Sequence, residues 1–193
     1  MHYTGDAYIQ ALIRNAKIYS AYADTKVQFF FSKAKNKPIS NCQIYFGKRN
    51  FMHLVGIDSS TCSSEEFYEK CREGTVDPVD CKPSHSIISR DEKVFVFPKL
   101  FEFSNSKIYK MGEKDASTAF DDFYLATGND AGTIGYDFRE VRKDYAIPVT
   151  LLPNPISKYC TDLYKIIAVF QINDESDSRE LLFEIAKGVA IGL

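Results

Sequence analysis

Four strand-like segments follow one another in the second half of the chain: DDFYLAT, GTIGYDFR, YAIPVTLL and LYKIIAVFQI, within 121–172. The first two flank Gly128-Asn129-Asp130-Ala131-Gly132, a turn built of residues that tolerate unusual dihedrals. Period two is clear in the second, where Ile134, Tyr136 and Phe138 face one way and Thr133, Asp137 and Arg139 the other. In the third, Pro148 cannot donate a ladder hydrogen bond, which places it at an edge, at a strand start or beside a bulge. The fourth is apolar on both faces, as a strand covered on both sides should be. An antiparallel meander is therefore expected, and it needs a second layer to cover it.

The first half supplies that layer. Apolar positions at helical spacing predict a helix over about 6–22, followed by KVQFFFSK and QIYFGK as short strands broken by KNKPIS. Ser63-Ser64-Glu65-Glu66 has capping-box spacing ahead of Phe67, predicting a helix from 64 to about 73 that ends at Gly74. A further helix is expected over about 85–96, capped by Ser84 and interrupted at Pro98 before resuming toward 103. Asp177-Ser178-Arg179-Glu180 repeats the capping spacing and predicts a terminal helix over about 177–188. The sum is an α+β protein: N-terminal helices and short strands packed on a roughly four-stranded antiparallel sheet. It is read as a single domain over 1–193, helix-rich to about 105 and sheet-forming over about 106–175.

Charge and cysteine usage narrow the function classes. With 24 basic and 26 acidic residues the formal net charge is -2, which argues against nonspecific coating of nucleic acid but leaves room for a local cationic site. Five scattered cysteines without a C-x-x-C pair, and an N-terminus without a continuous apolar segment, predict free thiols and a cytoplasmic location. No membrane association is expected, since no run approaches the about eighteen apolar residues of a span. Neither short-spaced zinc ligands nor a glycine-rich phosphate loop occurs, so no metal or other cofactor is expected.

One histidine draws attention. YFGKRNFMHLVGI sets His53 inside an apolar run, just after Lys48 and Arg49. Whether that run is extended or helical, its apolar neighbours predict partial burial and a neutral imidazole near pH 7. A packing residue would look the same, so both roles stay open, and Lys48 and Arg49 fit a cationic patch or a solvated turn equally. Arg90 lies beside Asp91 and Glu92, either of which could pair it. Arg139 and Thr150 project from the polar faces of consecutive strands, with Tyr124 one strand earlier, where arginine and hydroxyl donors would suit a phosphate.

The segment IYFGKRNFMHLVGI followed by SSEEFY resembles the F-x-H-L-x-G core of a phage- and mobile-element-borne nuclease family, the fourth subfamily of the barnase/EndoU/colicin/RelE-like group. SHSIISRDEKVF is similar to that family's helix carrying a serine and an arginine, and DDFYLATG, GTIGYDF and IPVTLL to its later strands. The resemblance implies helices on a four-stranded antiparallel sheet and metal-independent cleavage of RNA by 2′-hydroxyl attack, in a toxin or effector. It carries His53, Arg90 and Thr150 over as family-like polar positions and catalytic candidates. Lys48, Arg49 and Tyr124 follow as substrate-binding candidates, with Arg139 added from strand geometry. The implied partners are RNA, such as a structured tRNA, and an inhibitory or host protein. A non-catalytic interaction protein on the same fold, or an RNA-binding module without turnover, is the alternative.

Overall fold

The structure, a computed structural model, describes residues 5–33, 38–59, 61–103, 110–115, 123–138, 144–173 and 178–184. Among the described residues four α-helices, α1 (Gly5–Tyr19), α2 (Asn50–Leu54), α3 (Ser64–Glu73) and α4 (Ile87–Leu100), accompany eight strands. These are β1 (Thr25–Ser32), β2 (Ser40–Phe46), β3 (Lys110–Glu113), β4 (Leu125–Gly128), β5 (Thr133–Asp137), β6 (Ile147–Leu152), β7 (Leu163–Asn173) and β8 (Ser178–Glu184).

The α+β class holds, but the sheet is not four-stranded. All eight strands form one antiparallel sheet in the order β2-β1-β7-β3-β4-β5-β6, with β8 also on β7. β7 explains the larger number. It is 11 residues long, and one edge is paired along β1, while β3 takes the start of the other edge and β8 the rest. The N-terminal hairpin is thus part of the sheet and not part of a separate layer. A parallel bridge between Ile44 and Ala146 draws β2 toward the chain entering β6, with Tyr45 N–H donating to Ala146 O at 2.8 Å. The sheet therefore curls into a half-barrel.

The expected terminal helix is also overturned, since residues 178–184 are strand β8 and the remainder of 177–188 lies outside the described residues. The vacant edge of β7 and the packing of Leu182 and Phe183 against the main core outweigh the local capping signal.

Local signals that succeeded did so through caps. Ser63 Oγ accepts from Glu66 N–H at 3.2 Å, and Gly74 closes α3 with a left-handed φ of 79°. In α4 the cap is Ser86 rather than Ser84, and the helix runs through Pro98 without the expected interruption. Pro98 cannot bond the carbonyl of Val94, and Asn15 of α1 donates to that carbonyl instead, at 2.9 Å. The buried amide on α1 replaces the missing helical hydrogen bond.

The helices cover one face of the curled sheet. Tyr19, Phe46, Phe51, Phe97 and Phe101 meet there, with Phe97 and Phe101 stacked at 4.3 Å between ring centroids. The opposite face carries a smaller core of Phe123, Ala126, Val149, Leu152, Ile156, Tyr159 and Cys160. Two-sided cover buries all of β5, so Thr133 and Asp137 do not form the open polar face that their alternation suggested.

Candidate functional site

The histidine segment is a one-turn helix and not a strand. Phe51 and Leu54 of α2 are fully buried, and His53 sits about 200° round the helix from Phe51, on the outward side. His53 is exposed, contrary to the partial burial expected of it. The helix is fixed at its start by Asn50 Nδ2, which donates to Pro148 O of β6 at 3.2 Å.

The spacing His53-Leu54-Val55-Gly56 is that of a helix end. Gly56 N–H donates to His53 O and Ile57 N–H to Met52 O, both at 3.0 Å, with Gly56 at φ 75°. This is a Schellman closure, and it needs glycine in the left-handed position. A second constraint acts on the same residue: a Cβ on Gly56 would lie 3.1 Å from Lys93 Cδ and 3.4 Å from Arg90 Cα. The close approach seats the His53 turn directly on α4. The segment leading into α4 runs alongside, with Asp58 N–H donating to Lys82 O at 2.8 Å and Ser84 N–H to Gly56 O at 3.0 Å.

Arg90 is held from two sides. Its guanidinium carbon stands 3.8 Å from the centre of the Tyr8 ring, and Nε and Nη2 donate to Asp91 Oδ1 at 3.1 and 2.8 Å. Asp91 is buried, while the Arg90 side chain keeps 14% exposure. The pairing foreseen with Asp91 is thus present, and Glu92 points to the exposed side.

Lys93, one turn further on, is the residue that the sequence reading missed. It keeps only 5% of its surface, and its ammonium has no hydrogen bond or ion pair among the described residues. Burial pushes the ammonium below the ordinary lysine range. A signal was present: Lys93 lies three residues from Arg90, four from Phe97 and seven from Leu100, on the apolar stripe of α4.

That shift has a consequence for stability. Between the lowered folded pKa and the unfolded value of about 10.4, the unfolded chain binds more protons, so stability rises with pH. The penalty from Lys93 is complete below the folded pKa and gone above the unfolded one. Urea midpoints of wild type and Lys93→Met, followed from neutral pH upward, are expected to converge. Arg90 and Asp91 on α4 and His53 across Gly56 are common to both proteins and cancel in the difference.

The remaining candidates are scattered. Lys48, just before α2, is held by Glu69 at 3.0 Å and Asp24 at 3.4 Å, and the hydrogen bond it donates to Glu69 raises its pKa. Arg49 is exposed beside it. Tyr124 is 69% exposed where the chain enters β4. Thr150 pairs with Gly135, on which a Cβ would meet Phe123 of the smaller core at 2.6 Å. Its neighbour Leu151 belongs to the helix-covered core. Thr150 therefore faces away from the helix-covered side, by plain alternation with Leu151. Arg139 lies outside the described residues.

The structure thus brings His53, Arg90 and Lys93 together through Gly56, and leaves Thr150 on the far face. A separate depression of about 410 Å³ lies along α1 between Gln10, Ile13, Arg14, Lys17 and Ile18 and holds none of these residues. Among the described residues no group of three His, Cys, Asp or Glu side chains is placed to hold a metal ion, and no helix is long and apolar enough to cross a membrane.

The family model described as phage-Barnase-EndoU-ColicinE5/D-RelE like nuclease4 matches residues 11–188. No curated protein and no solved structure matches the chain.

Proposed function

Since the chain belongs to the phage-Barnase-EndoU-ColicinE5/D-RelE like nuclease4 family, we propose that it is an endoribonuclease acting at the turn that carries His53. The observation that carries this reading is the exposed imidazole held by a Schellman closure against the helix bearing Arg90. Histidine is the side chain whose ordinary pKa suits proton transfer near neutrality.

In the proposed reaction a base takes the ribose 2′-hydroxyl proton and the freed oxygen attacks the adjacent phosphorus. The bond to the 5′-oxygen breaks, and an acid returns a proton to that leaving oxygen. The products are a 2′,3′-cyclic phosphate and a 5′-hydroxyl. His53 serves as one of the two proton-transfer groups. Arg90 has Nε and Nη2 engaged with Asp91, and the rest of its fork faces the non-bridging oxygens as charge develops. Lys48 and Arg49 lie on the approach for the RNA backbone, and Arg139 keeps its assignment as a further phosphate contact. With a net charge of -2, recognition of a folded RNA such as tRNA fits better than degradation of any strand. The setting is a toxin or effector of a phage or mobile element, working in the cytoplasm and restrained by a protein inhibitor.

Incubating the purified protein with total RNA in EDTA tests this directly. Fragments ending in 2′,3′-cyclic phosphate are the expected result, and intact RNA would overturn the reading.

A non-catalytic interaction protein is the second reading, favoured by the internal pairing of Arg90 with Asp91 and of Lys48 with Glu69 and Asp24. It expects surface substitutions to abolish capture of a host protein, with RNA left uncut.

A further inference from the structure

We propose that Tyr145, Tyr45 and Lys26 form a subsite that stacks an unpaired base of the RNA, flanking the nucleotide that is cut. Its place in the reaction rests on the ribonuclease reading, whereas the case for a base rests on the side chains themselves. Lys26 of β1 is paired in register with Tyr45 of β2, and Tyr45 N–H donates to Ala146 O, which sets Tyr145 beside them. Val27, Ile44 and Ala146 enter the helix-covered core, so alternation turns Lys26, Tyr45 and Tyr145 outward. The two rings stand 5.4 Å apart between centroids and are tilted by 48°, with Lys26 Nζ 5.3 Å from the centre of the Tyr145 ring. All three residues stay partly exposed.

A ring with an ammonium over it offers a base a stacking face and the adjoining phosphate a counter-charge. As the base takes the Tyr145 face, the Lys26 ammonium moves from the ring to the phosphate that follows. Tyr45 is fixed beside it, since its hydroxyl donates to Asp24 Oδ1 at 3.2 Å and Lys48 balances that carboxylate at 3.4 Å. Asp144, next to Tyr145, is also exposed, so stacking carries more of the contact than charge does. The subsite continues into the histidine turn through Gly47. A Cβ there would lie 3.1 Å from both Tyr45 Cε1 and Asn50 Oδ1, so the missing side chain lets the Tyr45 ring close on the first residue of α2. His53 follows three residues on, about 4.5 Å along the helix axis. Bases splayed from single-stranded loops are what proteins read in a folded RNA, which suits a folded substrate.

Fluorescence anisotropy with a labelled 2′-O-methyl RNA hairpin is the test, because its blocked 2′-oxygens prevent cleavage. Wild type is expected to bind. Tyr145→Ala should weaken binding about 5- to 150-fold, the range for losing one base stack. Tyr145→Phe, which keeps the ring, should keep the affinity. Phe95→Ala removes a 44% exposed ring that lies under Lys99 on α4, and should leave binding unchanged. Lys26→Met should reduce the slope of log affinity against log salt by about 0.7, one phosphate's share on a single strand. Should Tyr145→Ala fail to fold, Tyr145→Leu keeps apolar bulk without a π-face. Equal binding by the folded variant lacking the ring, or none by wild type, overturns the subsite. Ring-dependent binding without cleavage of natural RNA would sink only the ribonuclease reading, whereas cleavage with a KM indifferent to Tyr145 would sink the subsite alone.

Discussion

Replacing Phe51 by alanine is expected to cost the fold about 3–5 kcal/mol, the range for truncating a fully buried phenylalanine. Phe51 is the anchor of α2. Its ring meets Tyr19 of α1, Phe67 and Tyr68 of α3, and Phe97 of α4, at centroid separations of 5.5 to 6.3 Å. A five-residue helix has too few internal hydrogen bonds to stand by itself. The position of His53, two residues on, is therefore set by this ring and by the Asn50 contact to β6. Against a total stability of about 5–15 kcal/mol, such a loss leaves little margin. Urea denaturation should show a lower midpoint with an unchanged slope, and an unchanged midpoint would mean that α2 is held by something else.

Asp91→Ala comes next, with an expected loss of about 3 kcal/mol. Asp91 is 1% exposed, and its Oδ1 accepts two hydrogen bonds from an Arg90 side chain that is 14% exposed. Removing the carboxylate leaves a guanidinium that is largely buried against Tyr8 with no counter-charge. The penalty comes from the stranded cation more than from the lost attraction. Removing the cation as well, in Arg90→Met with Asp91→Ala, should recover most of the stability. A double variant as unstable as Asp91→Ala would assign the loss to packing instead. The two substitutions also separate stability from activity, since on the proposed chemistry the double variant folds but binds phosphate oxygens poorly.

What could be read from the sequence was local. Ser63 with Glu66, and Gly74, specify both ends of α3 within a few residues, and the strands β1, β2 and β4 to β7 follow from apolar density and turns, although only β4, β5 and β6 form a meander and β7 pairs with β1, β3 and β8. What escaped was set by distant partners. Asn15 stands 79 residues from the Val94 carbonyl that lets α4 continue through Pro98. β3 has only the four residues KMGE, and its Gly112 matters because a Cβ there would meet Cys160 at 2.7 Å. β8 carries a helix-start signal but fills an edge of β7 that no local pattern announces.

The site divides in the same way. F-x-H-L-x-G encodes a buried anchor at Phe51 and a glycine helix end at Gly56, but the apolar run around His53 hides its outward position. Thr150 keeps the face opposite Leu151 that alternation gives it, whereas the bulge at Val149 moves Ile147 and Pro148 to faces that strict alternation along the strand hides. Lys93 was passed over because a lysine between Glu92 and Val94 reads as surface charge until α4 is seen to turn it inward.

The most direct measurement is RNA cleavage by His53→Ala alongside wild type in EDTA, with both melting curves recorded. His53 is exposed, so the melting temperature should be unchanged, while loss of a proton-transfer group should slow cleavage by about 10²–10⁴-fold. Equal cleavage by the folded variant would contradict the assignment of this histidine to the reaction.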